Sequence, residues 1–165
     1  ILLRIMMQIA KVDFYNPISQ FIIHVTNPPL TPLRRLIPGL WGVDFAALLL
    51  AFLVQILGFV LLMALKGGLS SNVLAFVIYA IFGVIDIALQ IVFFAILAQI
   101  VISWVAPNSY HPVVVLIRQL GEPIMAPFRR LIPPFGGLDF SPMIAILIIH
   151  ILQNIVLPSI RVSLT

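Results

Sequence analysis

Polar residues in this chain fall in a few short clusters, with long apolar runs between them. From Phe45 to Leu65 there is no charge, and from Val73 to Ala106 the single charge is Asp86. Runs of this kind read as membrane spans, which need about 20 apolar residues each. A third, from about Asp139 to Leu157, is of the same kind, and Pro158 is expected to help end it. ILLRIMMQIAKV, residues 1 to 12, reads as the tail of a fourth. At about 1.5 Å per residue it covers roughly 18 Å of a roughly 30 Å core. Since position 1 is Ile rather than Met, native residues are expected upstream. No small-residue cleavage site follows, so the segment does not read as a signal peptide.

Between the spans the hydrophobic spacing changes. Asn16-Pro17 suits an N-cap and a first helical turn. Ile18, Phe21, Ile22 and Val25 then fall on one helical face, and Val113, Leu116, Ile117 and Leu120 repeat the spacing. These segments are too short to span and predict amphipathic interfacial or re-entrant loops. Prolines at 28, 29, 32 and 38, and at 123, 127, 133 and 134, are expected to break regular helix.

The same pattern occurs twice because the sequence does. Displaced by 95 positions, the chain aligns with itself without gaps. Pro17 falls on Pro112 and Pro28 on Pro123. PLRRLIP at 32 to 38 falls on PFRRLIP at 127 to 133, and Gly42, Asp44 and Phe45 fall on Gly137, Asp139 and Phe140. The fold expected is an all-α membrane protein, a tandem parallel duplication with four spanning segments, the first truncated at its start. Residues 1–65 form the first repeat, 66–83 a connector with a short apolar helix, and 84–165 the second repeat. The run 73 to 106 is too long for one span and too short for two. Topology decides for one. It keeps Lys11, Arg34, Arg35, Arg118, Arg129 and Arg130 on one side, against Lys66 and Arg161, as the positive-inside rule asks. Residues 73 to 84 are then a short interfacial or partly inserted helix, or the extension of a long tilted span.

Composition narrows the function classes. The chain is 62% hydrophobic and 8% charged with a mean hydropathy of +1.23, more apolar surface than a soluble fold of this length could hide. It has no cysteine, so thiolate metal sites and disulfides are excluded. Its net charge of +4 fits topology and anionic headgroups rather than nucleic acid. His24, His111 and His150 lack metalloprotease spacing, and Gly67-Gly68 and Gly136-Gly137 read as turns rather than phosphate loops. No catalytic residue, metal site or cofactor is expected.

DFYNPISQF at 13 to 21, PLRRLIP, SWV at 103 to 105 and APFRRLIPPFGGLDFSP at 126 to 142 closely resemble the YggT family of bacterial membrane proteins. The resemblance runs from Leu3 to about Leu157. It implies two copies of a small hydrophobic domain in the bacterial inner membrane, multi-pass, and no catalytic activity. It also implies links to envelope or division processes and to osmotic or potassium homeostasis. Chloroplast relatives of the family are tied to cytochrome assembly. The first copy departs from the family form, with WGVDFAA where the second has GGLDFSP.

Several residues are candidates for the working site. Arg34, Arg35, Arg129, Arg130 and Arg118 would bind anionic lipid headgroups or an acidic protein partner, since guanidinium groups grip phosphate bidentately. Setting topology is their simpler role. Asp44 and Asp139 start spans, where a carboxylate caps free N–H groups; an arginine–aspartate clasp is the alternative. Arg4 lies about 13 Å up its helix from Asp13 and Gln99 is its repeat partner, which makes Arg4 an intramembrane charge or a snorkelling one. His150, Gln153 and Asn154 share a helical face, with His150 about 16 Å in, and Gln55 is the repeat equivalent of His150. They read as interhelical hydrogen-bonding groups before they read as an ion path. Asp86 is expected to be a helix cap near the opposite interface, with Gln90 on its face.

Two functions follow. One is a non-enzymatic scaffold or assembly factor whose basic, amphipathic cytoplasmic face engages anionic lipid or an unidentified membrane or cytoplasmic protein. The other is a small ion channel or transporter subunit, acting as a homo-oligomer, with Arg4, Gln55, Gln99 and His150 as its lining.

Overall fold

The computed structural model describes residues 1–37, 39, 44–67, 73–131 and 139–164. Among these all regular structure is helical: α1 (Leu2–Ile9), α2 (Pro17–Leu36), α3 (Phe45–Leu65), α4 (Val73–Val105), α5 (Pro112–Leu131), α6 (Ser141–Ile151), a π turn (Leu152–Val156) and α7 (Leu157–Leu164). Three stretches among the described residues are long and apolar enough to cross a membrane: Phe45–Leu65, Val73–Val105 and Ser141–Ser163. The fourth span read from the sequence falls on α1, which has eight residues.

α4 is the axis of the molecule and packs against α1, α3, α5, α6 and α7. Its 33 residues run without a break through positions 73 to 84. At about 1.5 Å each they extend roughly 50 Å, well beyond a hydrocarbon core. α3 lies antiparallel to it, Gln55 against Gly83 and Phe59 against Tyr79, with rings 5.6 Å apart. The buried residues of α3 are Ala46, Ala47 and Ala51, while Leu53, Val54, Leu57, Leu61 and Leu62 point outward. That is how helices associate in lipid. Apolar side chains gain nothing by leaving hydrocarbon, so small residues let the backbones approach.

The proline expectation is overturned. Pro28, Pro29 and Pro32 lie inside α2, and Pro123 and Pro127 inside α5. Each proline removes one intrahelical hydrogen bond and crowds the preceding turn. Packing outweighs that: α2 is held by α1, α3 and α5, and α5 by α4 and α6. Pro38, Pro133, Pro134, Gly42, Gly68 and the Gly136-Gly137 pair lie outside the described residues. Gly67 is in the expected turn, at φ 81, where an L side chain would be strained.

Pro158 does not end the last helix either, which continues to Leu164. The ring of Pro158 would crowd the carbonyl four residues back, at Asn154. That residue lies in the π turn, where the helix is wider, so the clash is relieved. Asp86 is likewise no cap. It sits inside α4 and accepts from Gln153 on the π turn at 3.0 Å and from Gln90 at 3.4 Å.

Candidate functional site: two arginine–aspartate clasps

α2 and α5 both end in an Arg-Arg pair, and their bounds stand 95 residues apart at both ends. At the N-terminal side, Asn16 caps α2 by accepting from Ile18 N at 2.9 Å, as the sequence predicts. Its amide also donates to Pro112 O at 2.7 Å, where α5 begins. The Asp13 amide donates to Gln119 Oε1 at 3.1 Å. These bonds tie the two excursion helices together. Tyr15 and Tyr110, just ahead of them, and Trp104 at the end of α4 are largely exposed. Aromatic residues so placed suit a membrane–water interface.

At the other end of each excursion helix, the first arginine of the pair meets the aspartate that opens the next helix. Arg34 donates through Nε to Asp44 Oδ2 at 3.1 Å, and its Nη2 makes a second, closer contact. Arg129 donates through Nε to Asp139 Oδ2 at 3.0 Å. The pairing answers two fields at once, a cation at the negative end of one helix and an anion at the positive end of the next. The clasp and the cap coexist, since Asp44 Oδ1 also accepts from Ala47 N at 3.1 Å.

The two clasps differ in what surrounds them. Asp44 is 7% exposed and Asp139 counts as exposed. The residue equivalent to Ala47 is Pro142, which has no N–H to give, so Asp139 Oδ1 accepts from Ser141 N instead, at 2.9 Å. Here the WGVDFAA and GGLDFSP forms have their structural consequence. Burial alone would push the Asp44 carboxyl up. The hydrogen bonds from Arg34 and Ala47, with the charges of Arg34 and Arg4, hold it below its ordinary value. At Asp139 burial again opposes, and the Ser141 and Arg129 hydrogen bonds and the Arg129 charge again win.

Arg4 belongs to the first clasp. Its Nη1 donates to Thr26 Oγ1 at 2.8 Å, Asn27 Oδ1 at 2.8 Å and Ile23 O at 3.3 Å. Beyond the intramembrane or snorkelling charge that the sequence suggests, α2 packs beside α1 and brings Arg4 into the field of Arg34 and Asp44. Displaced by 95 positions, Gln99 falls on Arg4, Gly121 on Thr26 and Glu122 on Asn27. Glu122 receives two bonds from Arg129 Nη1, at 2.8 and 2.7 Å, so Arg129 bridges two carboxylates. Burial opposes the charge on Arg129, but these partners raise its affinity for the proton. The sequence reading missed Glu122, although it lies seven residues before Arg129, two helical turns away on the same face.

The other candidates are dispersed. Arg118 donates to Pro107 O at 2.6 Å and Ala106 O at 3.5 Å, closing the end of α4. Arg35 and Arg130 are exposed and have no partner among the described residues. Gln55 faces inward against Gly83, where an added Cβ would lie 2.1 Å from its Nε2. Gln153 reaches Asp86, while His150 and Asn154 bond each other at 3.1 Å on the exposed side of the last span. No described contact joins Arg4, Gln55, Gln99 and His150 into one path. Among the described residues no cluster of three His, Cys, Asp or Glu could hold a metal ion.

The CCB3/YggT family profile matches residues 1–65 and 78–160. An uncharacterised protein of Pseudomonas aeruginosa is 42% identical over 158 residues, covering 95% of this chain and 80% of that protein. The uncharacterised protein YggT of Escherichia coli strain K12 is 38% identical over 157 residues, covering 93% and 79%. A Haemophilus influenzae protein, also uncharacterised, is 36% identical over 160 residues, covering 95% and 83%. No solved structure matches the chain.

Proposed function

Because the chain belongs to the CCB3/YggT family, and its arginine pairs divide the same way twice, we propose that it is a non-enzymatic membrane scaffold or assembly factor. It would present a basic face to anionic headgroups or an acidic protein partner. The carrying observation is that division. In each copy the first arginine is spent on the clasp and the second is exposed without a partner among the described residues. The clasp fixes the helix end and so aims the second arginine, which retains its guanidinium for phosphate. We place this face on the cytoplasmic side of a bacterial inner membrane, as the excess of basic residues there favours. The paired halves, tied at Asn16 and Pro112, support reading the chain as a tandem duplication of one helical unit. A second copy of the chain would meet it along His150 and Asn154, whose polar groups point outward from a spanning helix. A channel or transporter subunit is the weaker reading, because the polar residues that would line its path sit at separate helix contacts.

The test is replacement of the exposed arginines alone. Purified protein with Arg35→Gln and Arg130→Gln should retain phosphatidylglycerol about thirtyfold less well than the parent, at roughly 1 kcal/mol per basic residue near an anionic surface. Its retention of phosphatidylcholine should not change. Unaltered binding of both phosphatidylglycerol and co-purifying protein would sink the proposal.

A further inference from the structure

In the first copy the space beside the clasp holds the Arg4 guanidinium, bound by a hydroxyl, a carboxamide oxygen and a backbone carbonyl. Ninety-five residues on, the Thr26 hydroxyl is lost to Gly121, the Asn27 carboxamide is replaced by the Glu122 carboxylate, and no guanidinium stands where Arg4 does. Gln99 is shorter and neutral, and its carboxamide packs against Gly121, 2.6 Å from where a Cβ would stand. Two cavities flank this place, of about 490 and 320 Å³, and both are lined by Gln99, Ser103 and Arg129. Ligand sites are commonly ~300–1,000 Å³. Gln99 Oε1 is buried with no hydrogen-bond partner among the described residues. A buried acceptor left bare is costly, so the site calls for a donor.

Charge says what kind of donor. Arg118, Arg129, Glu122 and Asp139 line the two lobes, two cations against two anions. A simple anion would meet the carboxylates and a simple cation the guanidinium groups, whereas a zwitterion satisfies both. The larger lobe adds an apolar wall of Ile96, Ile100, Trp104 and Met143, and Trp104 and Met143 are mostly exposed on the outer surface. An acyl chain could lie there while the head enters.

We propose that the second-copy cavity binds the headgroup of a zwitterionic phospholipid bearing a primary ammonium. The ammonium donates to Glu122 and, once the Gln99 carboxamide turns from Gly121 toward the cavity, to Gln99 Oε1; the phosphate accepts from Arg118 and Arg129. The ligand's ammonium thus does for the second copy what Arg4 does for the first. The inference rests on the reading that this end of the molecule meets headgroups, and it adds a site selective for the head's cation.

The purified full chain would be offered phosphatidylethanolamine, phosphatidylcholine and phosphatidylglycerol with matched chains, and retained lipid counted by native mass spectrometry. Choline carries the same phosphate but no N–H to donate. The parent should keep the ethanolamine lipid about tenfold over the choline lipid, the factor that about 1.4 kcal/mol confers. Gln99→Leu, which removes the acceptor, should abolish the preference. Gln99→Arg, which supplies the guanidinium of the first copy from within the chain, should abolish it while cooperative unfolding is kept. Arg35→Gln with Arg130→Gln should lower phosphatidylglycerol retention and leave the ethanolamine preference intact, so the two proposals fail separately. Equal retention of ethanolamine and choline lipids by the parent overturns the inference, as does a preference that survives Gln99→Leu. An Arg35→Gln, Arg130→Gln variant that still favours phosphatidylglycerol over both would overturn it too, assigning the cavity to an anionic head.

Discussion

The two clasps share an arginine, an aspartate, their ten-residue separation and their helix ends, yet one is closed and the other open. In the first, Asp44 is buried, caps Ala47, pairs with Arg34 and shares its field with Arg4. In the second, Asp139 is exposed, Pro142 offers no amide, and Arg129 is shared with Glu122. Three replacements account for most of the difference: Arg4 by Gln99, Asn27 by Glu122 and Ala47 by Pro142. The backbone plan is kept while the chemistry inside it is exchanged. Two stretches of like sequence thus end in one closed and one open pairing.

The largest expected effect comes from removing the aspartates. Asp44→Ala takes away a buried partner and a cap, leaving Arg34 and Arg4 facing one another. It should cost about 2–3 kcal/mol, less than a fully buried pair because Arg34 is partly exposed. Asp139→Ala removes a solvent-screened contact and should cost about 1 kcal/mol or less. Thermal unfolding in detergent reads both, and equal losses would erase the distinction between closed and open clasps.

Glycine substitution compares a tight contact away from the clasps with a looser one beside the open clasp. At Gly83 a methyl group would meet Gln55 Nε2, Cδ and Cγ at 2.1, 2.8 and 2.9 Å, so the whole side chain must move. At Gly121 it would meet Gln99 Oε1 at 2.6 Å but Cδ only at 3.4 Å, beside open space. Alanine favours a helix over glycine by about 1 kcal/mol, while overpacking costs about 1–3 kcal/mol. Gly83→Ala should therefore lose about 1 kcal/mol, recovered when Gln55→Ala is added. Gly121→Ala should be near neutral.

Much of this plan was legible in the sequence. Internal similarity placed both excursions, Asn16-Pro17 marked a helix start, and apolar run length placed α3; the connector expected over 66–83 is, from Val73 on, the first part of α4. What misled was local propensity. Prolines 28, 29, 32, 123 and 127 read as breaks, because a proline's cost is visible in sequence while the helices packed around it are not. Pro158 misled for the same reason, with the π turn as the unseen compensation. Asp86 read as a cap because a lone carboxylate suits a helix end, and its partner Gln153 lies 67 residues away. The clasps were half legible. The arginine–aspartate spacing was visible, but that Asp44 is buried and Asp139 exposed was not, because burial is set by helices packed from elsewhere in the chain.

The smallest effect is in acid, and it tests whether the closed clasp is held by charge. Both aspartates have folded-state affinities for protons below the ordinary carboxylate value of about 3.9. A depressed group contributes stability that is present above its unfolded value and lost as pH falls through its folded one. Unfolding temperature should thus stay level from neutrality to about pH 5 and fall below about pH 4. Asp44→Asn cannot be protonated and should flatten that acid limb, while Asp139→Asn should change it less, since solvent already screens its pair. High salt should shrink the contribution of the open clasp and spare that of the closed one, because screening reaches exposed charges first. If Asp139→Asn flattens the limb as much as Asp44→Asn, the first clasp is no more charge-dependent than the second. Its burial would then act through packing and the Ala47 cap instead.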